Sequence, residues 1–436
     1  MLQTVKNAWK LPELRNKILF TIFILIVFRF GSVLSVPFVD SSVLKEAFAQ
    51  QTSGTILDYF NMLSGEAFSR ATLFALSISP YITAQIVIQL LTIAIPALER
   101  MAKEGDEGRK KLSQITRYVT VALALITAYG YYTYIKNTAG MAIQHDGVNE
   151  HFAAAVIIAC YCAGAAIIMW LAEKINEKGI GNGISIILLA NIVSRVPNNI
   201  IVAGRNLFTD FKLTTLIADI LLIVIAVATV LFVVHMSDAE RRISVQYAKR
   251  QVGRRMYGGQ NTYLPLKLNM TGVMPIIFAS SIVTLPSTIG LMVGKDSTSG
   301  GFWGGFLKLF SYTSPLYSIL FFVLIIAFAY FYISISFNPI EVANNLKKNG
   351  GSILGIRPGK PTSDYITRIL SRITLIGAIF LGIIAVLPIV LTMIDQSFGS
   401  LAFAGSSIII VVGVVIETQT EIETQMSMRH YKGFLE

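Results

Sequence analysis

Residues 55–100 read TILDYFNMLSGEAFSRATLFALSISPYITAQIVIQLLTIAIPALER, and this stretch decides how the rest of the chain is interpreted. Its second half, 71–96, is apolar and longer than the roughly 20 residues that a helix needs to cross a bilayer. Its first half, 55–70, mixes apolar side chains with charged ones, including Asp58, Glu66 and Arg70. A half-polar segment at membrane depth is tolerated only inside protein or beside water. We therefore predict that 55–70 folds back into a cavity whose wall is formed by the rest of the chain.

The composition is that of a membrane protein. The 436 residues are 54% hydrophobic and 14% charged, and the mean hydropathy is +0.63, whereas soluble domains carry roughly 25% charged residues. Cys160 and Cys162 lie two apart in one apolar run, so on a helix they point away from each other, which argues against a disulfide or a metal site. No cleavage site follows the first apolar run, which we expect to be retained as a span.

Ten apolar runs are predicted to be membrane-spanning helices. They cover residues 17–37, 71–96, 113–135, 152–171, 184–201, 213–235, 270–292, 315–337, 373–393 and 401–417. A cytoplasmic N-terminus puts 27 of the 36 basic residues on that side, with Arg29 inside the first run. Since cytoplasmic loops are rich in Lys and Arg, we predict that both termini are cytoplasmic. Two interpretations of Arg29 stay open: it extends to the headgroups, or it lines an aqueous funnel.

The runs divide evenly around one connector. Five precede residues 202–212 and five follow them. An odd number of spans in each half gives the halves opposite orientations, as in inverted-repeat proteins. We therefore predict an N-terminal half, 1–201, an external connector, 202–212, and a C-terminal half, 213–436.

Two cytoplasmic loops, 236–269 and 338–372, are long and basic. The alternation in RRISVQY, residues 241–247, predicts a short strand, and the glycine pairs at 258–259 and 350–351 predict turns. Contact with anionic lipid would explain the charge alone. A docking surface for a soluble partner also explains the aromatic, proline and glycine content, so we predict such a surface.

Motifs of catalysis and cofactor binding are missing from the sequence. It contains no HExxH or GxSxG motif, and its four histidines are scattered. In LGIRPGKP, Pro361 stands where a phosphate-binding loop needs Ser or Thr, and KGIGNGIS, residues 178–185, has no strand before it. We expect no enzymatic activity, no cofactor and no metal. Isoleucines beside helix breaks, with few charges inside the runs, favour a hydrophobic constriction.

Seven strings in the chain resemble the bacterial SecY family, the large subunit of a protein-conducting channel. They are NMLSGEAFSRATLFALSISPYITAQIVIQLLT (61–92), EGDEGRKKLSQITRY (104–118), EKGIGNGISII (177–187), RRISVQYAKRQ (241–251), YLPLKLNMTGVMPIIFASSI (263–282), FNPIEVANNLKKNGG (337–351) and GIRPG (355–359). The resemblance implies an all-α integral membrane protein with ten transmembrane helices in two inverted halves and a short re-entrant plug helix. It also implies a pore that opens across the membrane and sideways into lipid.

The resemblance assigns residues to the pore and to the segment that closes it. The implied pore ring consists of Ile78, Ile82, Ile184, Leu188, Ile277 and Ile410. Leu188 stands where isoleucine is common, which keeps the ring apolar. The implied plug includes Asn61, Met62, Leu63, Ser64, Gly65, Glu66, Ala67, Phe68, Ser69 and Arg70. A narrow ring of branched alkyl groups excludes water and ions, yet it can part around a polypeptide because it makes no directional bonds.

The resemblance also implies a lateral gate and a set of partners. The gate residues would be Thr83, Gln85, Gln89, Ser280, Ser281, Thr284 and Leu285. Docking residues for the SecA motor and for the ribosome, including its RNA, would be Arg241, Arg242, Lys249, Arg250, Arg254, Arg255 and Arg357. SecE and SecG are the implied membrane subunits, and signal sequences, nascent polypeptides and the lipid bilayer are the implied substrates and surroundings.

Two other classes of protein were weighed against a passive channel. A secondary transporter with inverted repeats needs a charged substrate or ion site at the membrane midplane, which the runs do not supply. A purely structural scaffold leaves the half-polar segment 55–70 unexplained. With these alternatives disfavoured, the family resemblance implies a protein-conducting channel without catalysis, located in the bacterial plasma membrane.

Overall fold

The computed structural model describes residues 2–50, 61, 63–144, 149–209, 213–247, 250–252, 255–257, 261–292, 302–311, 314–394 and 399–432. Most of these residues are helical. The α-helices are α1 (Leu2–Trp9), α2 (Pro12–Gly31), α3 (Ser41–Gln50), α4 (Ser79–Ala94), α5 (Pro96–Lys103), α6 (Asp106–Thr138), α7 (Glu150–Lys178), α8 (Gly183–Thr209), α9 (Leu213–Asp238), α10 (Met274–Met292), α11 (Phe302–Leu309), α12 (Pro315–Ser336), α13 (Pro339–Lys348), α14 (Lys360–Ile394) and α15 (Gly399–Lys432). The strands are β1 (Glu240–Tyr247), β2 (Arg250–Val252), β3 (Arg255–Tyr257), β4 (Asn261–Lys267) and β5 (Gly351–Ile353).

Each of the ten predicted runs contains a long helix, namely α2, α4, α6, α7, α8, α9, α10, α12, α14 and α15. Within the described residues, three helical stretches are long and apolar enough to cross a membrane: Glu150–Lys178, Pro315–Lys348 and Lys360–Leu387. A fourth is the pair α4 and α5, which is bent by 102°. The bend lies at Ile95, whose backbone is extended because the next residue is Pro96. Ten crossings of a membrane stay a prediction.

The helix of the second run begins eight residues later than the predicted run, which starts at residue 71. Helix α4 starts at Ser79, and residues 64–71 and 73–78 form consecutive turns. Glu66, Ala71 and Ser77 have positive φ angles of 70°, 48° and 54°. These angles are incompatible with a right-handed helix. In the predicted plug, Asn61 and Leu63 are helical but 64–70 are not, while residues 55–60 and Met62 lie outside the described part of the chain.

The fold also contains a small β-sheet, which the all-α prediction did not include. Strand β1 pairs antiparallel with β4, from Glu240 opposite Lys267 to Gln246 opposite Asn261. On its other edge β1 pairs with β5, with Val245 opposite Ile353. The strand predicted from RRISVQY is confirmed. Its partner β5 comes from the second basic loop, so one sheet joins both loops.

The predicted connector, 202–212, is partly helical. Helix α8 continues through residues 202–209, so only 210–212 separate it from α9. Pro197 lies inside the same helix.

The largest hydrophobic core is built from many of the long helices. It contains buried residues of α2, α4, α7, α8, α9, α10, α12, α14 and α15 together with Leu63, Phe74 and Ile78 from the turns before α4. A second core packs α6 and α7 against Phe68, Ala71 and Ala75. The segment 63–78 therefore lies between two apolar cores, which gives it the protein surroundings that a half-polar segment requires.

Candidate functional site

The six residues of the predicted pore ring lie in one buried cluster. Ile78 precedes α4 and Ile82 lies on it, Ile184 and Leu188 lie on α8, and the remaining two, Ile277 and Ile410, lie on α10 and α15. Their exposed fractions run from 1% to 5%, and all six belong to the largest core. The pairs on α4 and α8 are spaced four residues apart, so each pair occupies one helix face. The structure thus places residues from four parts of the chain in one buried apolar cluster. We call these six residues the collar, and their role as the pore ring stays a prediction.

The predicted plug is attached to α8 by a polar contact inside this core. The side-chain amide of Asn191 donates hydrogen bonds to the carbonyl oxygen of Leu63 at 2.7 Å and to Oγ of Ser77 at 3.3 Å. Ser77 Oγ donates to the same Leu63 carbonyl at 3.0 Å. Asn191 is fully buried and Leu63 is 8% exposed. Buried carbonyls need hydrogen-bond partners. Asn191 therefore holds Leu63 against α8, and Ser77 holds it against the turns before α4.

The turn that follows Leu63 depends on a glycine. Gly65 has a φ of 64°, and a Cβ atom there would lie 3.0 Å from Asn191 Oδ1 and 3.1 Å from Ser194 Oγ. Glu66 pairs with Arg70 at 2.6 Å, and Arg195 Nε of α8 lies 3.9 Å from the other oxygen of Glu66. The turn therefore meets α8 through a close backbone approach and opposite charges.

The far side of the segment is held by aromatic residues. The Tyr131 hydroxyl of α6 donates a hydrogen bond to the Phe68 carbonyl. The Phe68 ring lies 4.4 Å from the Tyr131 ring and 5.6 Å from the Phe48 ring, measured between centroids. Within the segment, Asn61 Oδ1 accepts from the Ser69 amide at 3.0 Å, and Ser64 Oγ accepts from the Phe68 amide at 3.0 Å. Ala67 is buried beside them.

Sequence reasoning missed Asn191 and Tyr131. Asn191 is an amide in the middle of the fifth apolar run, and an unpaired amide in that setting costs about 1–3 kcal/mol. That cost was the available signal for a specific partner. Tyr131 gave a weaker signal because it lies among other tyrosines of α6.

A cavity of about 110 Å³ lies where α4, α6 and α10 meet. Its lining includes Thr83 of α4, Thr127 of α6, and Ser281, Thr284 and Leu285 of α10, together with Leu63 and Phe68 of the plug segment. Four of the seven predicted gate residues therefore face one cavity. Gln85, Gln89 and Ser280 do not line it.

The hydroxyl groups of the predicted gate residues bond within their own helices. Thr83 donates to the Ser79 carbonyl at 3.1 Å. Ser281 donates to Ile277 at 2.8 Å, Thr284 to Ser281 at 2.9 Å, and Ser280 to Ile277 at 2.9 Å. These bonds persist when the helices move apart.

Gln89 Oε1 is buried without a hydrogen-bond partner among the described residues.

The predicted docking arginines are distributed around the sheet. Arg241 and Arg242 are exposed on β1, and Arg242 Nε lies 2.6 Å from Glu240. Arg250 and Arg255 lie in the short β2–β3 hairpin. Arg357 is exposed in the turn between β5 and α14, where its carbonyl accepts from Thr362 at 2.8 Å. Lys249 and Arg254 lie outside the described residues.

A hydrophobic core under the three-stranded sheet joins β1, β4 and β5 to α14, and so positions Arg241 and Arg242 of β1 relative to the membrane helices. It contains Ile243, Val245, Leu266 and Ile353 from the strands, and α14 adds Ile366, Leu370 and Ile373. Strands from both basic loops therefore pack together on α14, the helix that carries the ninth run.

Fold and sequence together place the chain in a known class, that of multi-helix membrane channels. A sequence profile of SecY matches residues 72–419. The chain is 42% identical to the protein translocase subunit SecY of Streptomyces coelicolor, with all of both chains covered. It is 42% identical to that of Halalkalibacterium halodurans and 40% identical to that of Mycobacterium bovis, again with full coverage. The chain belongs to the SecY family.

Solved structures share the fold. A chain described under "The structure of a protein conducting channel" superimposes with a TM-score of 0.69 at 18% identity, covering 94% of this chain and 92% of that one. Sec61 in the canine ribosome-channel complex gives a TM-score of 0.63 at 17% identity, with the same two coverages.

Proposed function

We propose that this chain forms a passive channel that passes unfolded polypeptides across the membrane and releases hydrophobic segments sideways into lipid. The burial of the six collar residues in one apolar cluster, with Leu63 of the predicted plug hydrogen-bonded to α8, is the observation that carries this proposal. Branched alkyl groups in a narrow constriction repel water and therefore ions. They make no directional bonds, so a polypeptide of any sequence can part them.

Lateral release would occur between α4 and α6 on one side and α10 and α12 on the other. The seam hydroxyls bond within their own helices, so separating the helices breaks none of these bonds. Interhelical hydrogen bonds in membranes are worth only about 0.6 kcal/mol on average in any case. A hydrophobic signal sequence that binds the separated helices would supply the differential affinity that favours the open state.

The architecture we propose has two inverted halves, 1–201 and 213–436, with ten transmembrane helices and a plug formed by residues 55–70. Both termini and the sheet lie on the side of the membrane that carries most of the Lys and Arg residues. Cytoplasmic loops are rich in these residues, so this side is the cytoplasm of a bacterial cell. The positive surface around Arg241, Arg242 and Arg357 suits a polyanion such as ribosomal RNA, or an acidic face of a motor protein. SecA, the ribosome, SecE and SecG are the proposed partners.

Reconstitution tests the proposal. The chain, purified with its small membrane partners, is placed in proteoliposomes with the motor ATPase, ATP and a secretory precursor. We expect the precursor to become resistant to external protease, and to stay sensitive without ATP or when its signal sequence carries a charged residue. Equal protection in liposomes that lack this chain would refute the proposal.

A further inference from the structure

The short helix α11 (Phe302–Leu309), which lies between α10 and α12, carries a stripe of aromatic side chains. Phe302 and Phe306 are four residues apart and lie on one helix face, and Phe310 follows at the same interval in the turn directly after the helix. Their rings are in contact, with centroids 6.4 Å apart for the first pair and 5.0 Å for the second. Trp303 contacts Phe306 edge-on at 6.3 Å.

This stripe is not the face that packs on the protein. The buried residues of α11 are Gly304 and Leu307, and α11 packs against α10. Phe302 is 82% exposed, Trp303 39% and Leu309 50%. Lys308 is exposed on a third face. The helix therefore has an inner face, an aromatic face and a polar face.

The neighbours of α11 in the chain indicate what covers the aromatic face. Five residues separate Leu309 from Pro315, the first residue of α12, and the six chain steps between these two Cα atoms span at most about 20 Å when extended. Helix α12 exposes Leu316, Ile319 and Val323 in a row that suits lipid contact. Tryptophan and phenylalanine with a lysine on another face are typical of helices that lie at the boundary between headgroups and acyl chains.

We propose that α11 is a membrane-surface anchor, and that phospholipid at the external boundary of the bilayer covers its aromatic face. The anchor would hold the external ends of α10 and α12, the two helices on one side of the proposed gate. The external location rests on the topology given under the proposed function. The lipid contact rests on the exposed side chains of Phe302, Trp303 and Leu309, beside the half-buried Phe306 and Phe310.

Nitroxide labels at two neighbouring positions test the lipid contact. In the full chain with its membrane partners, Cys160 and Cys162 are replaced by Ser, and either Leu309→Cys or Lys308→Cys is labelled in phosphatidylcholine vesicles. For each label we compare the rate of collision with oxygen, which concentrates among acyl chains, with the rate of collision with a water-soluble nickel chelate. We expect the oxygen-to-nickel ratio to be several-fold higher at position 309 than at 308.

Two outcomes would overturn the anchor. High nickel accessibility at both positions would place the stripe in water, and low accessibility to both reagents at 309 would mean that protein covers it. A Phe306→Ser change should lower the ratio at 309, whereas Gly305→Ser should not, because nothing lies within 4 Å of a Cβ at Gly305. Labelling Lys308→Cys in intact cells with an impermeant maleimide tests the external side separately, so a topology error is distinguishable from loss of lipid contact.

Discussion

The Asn191 side chain donates a hydrogen bond of 2.7 Å to the carbonyl oxygen of Leu63, and so joins the middle of α8 to the segment beside the apolar collar. Ser77 donates to the same carbonyl at 3.0 Å. The contact couples the position of the proposed plug to a helix that also carries Ile184 and Leu188. Movement of the plug must break it, so its strength contributes to the closed state.

The double variant Asn191→Leu with Ser77→Ala should release the plug. It leaves the buried Leu63 carbonyl without its two side-chain donors, which costs about 1–3 kcal/mol. Each single change keeps one donor and should have a smaller effect. Ion conductance across planar bilayers should rise in the double variant and less in the single ones.

Ser185→Ala is the matched control for that experiment. Ser185 is fully buried on α8, and its hydroxyl has no hydrogen-bond partner among the described residues. Its removal should leave conductance at the wild-type level. We call the two hydrogen bonds to the Leu63 carbonyl the tether. If the double variant conducts no more ions than Ser185→Ala, the tether does not hold the plug.

A polar group in the collar should weaken its seal. Ile82→Asn, Ile184→Asn or Ile410→Asn places an amide in an apolar constriction, and admitting water relieves a cost of about 1–3 kcal/mol. We expect export of precursors with defective signal sequences, scored by secretion of a reporter. Ile82→Val keeps the apolar surface and should remain selective. If the Asn variants are as selective as wild type, these residues serve only to pack the core.

Much of this arrangement could be predicted from the sequence, because hydropathy locates helices. All ten runs contain helices, and the alternation in 241–247 produced a strand. The turns at 64–78 could not be predicted, since three non-glycine residues there adopt positive φ only under tertiary constraint. The pairing of β1 with β5 escaped prediction as well, because the two strands lie in different loops and no local pattern specifies their register.

The tether illustrates the same limit. Burial of an amide in the fifth run was visible in the sequence, but its acceptor is a backbone carbonyl, which every residue possesses. Only the fold identifies Leu63 as the partner. The family resemblance likewise implied a gate without specifying which of its residues share a cavity, since that depends on the rotation of α4 and α10.

Linking α4 to α10 should stop lateral opening. Thr83 and Leu285 line the same cavity. With both native cysteines replaced by Ser, Thr83→Cys and Leu285→Cys should be joined by oxidation or by a short bifunctional thiol reagent. Export should stop after oxidation and return on reduction. Each single cysteine is the control, and continued export by a fully cross-linked pair would rule out opening at this seam.

Reversing the charge of Arg357 should uncouple the channel from its cytoplasmic partner. Its side chain is exposed, and the core beneath the sheet does not include it. Arg357→Glu should therefore reduce motor-driven export without lowering the amount of folded protein, as measured by immunoblotting of membranes. Lys360→Glu makes the same charge change three residues away and should have a smaller effect. Loss of the protein itself would make Arg357 structural.

Photo-crosslinking to a polypeptide arrested in transit tests the central claim most directly. A photoreactive amino acid is placed at Ile184, in the collar, or at Ile319, which is 62% exposed on the lipid-compatible face of α12. The account predicts that a precursor stalled halfway across crosslinks to position 184 and not to 319. Crosslinks at 319 with none at 184 would contradict it, because the polypeptide would then pass outside the collar.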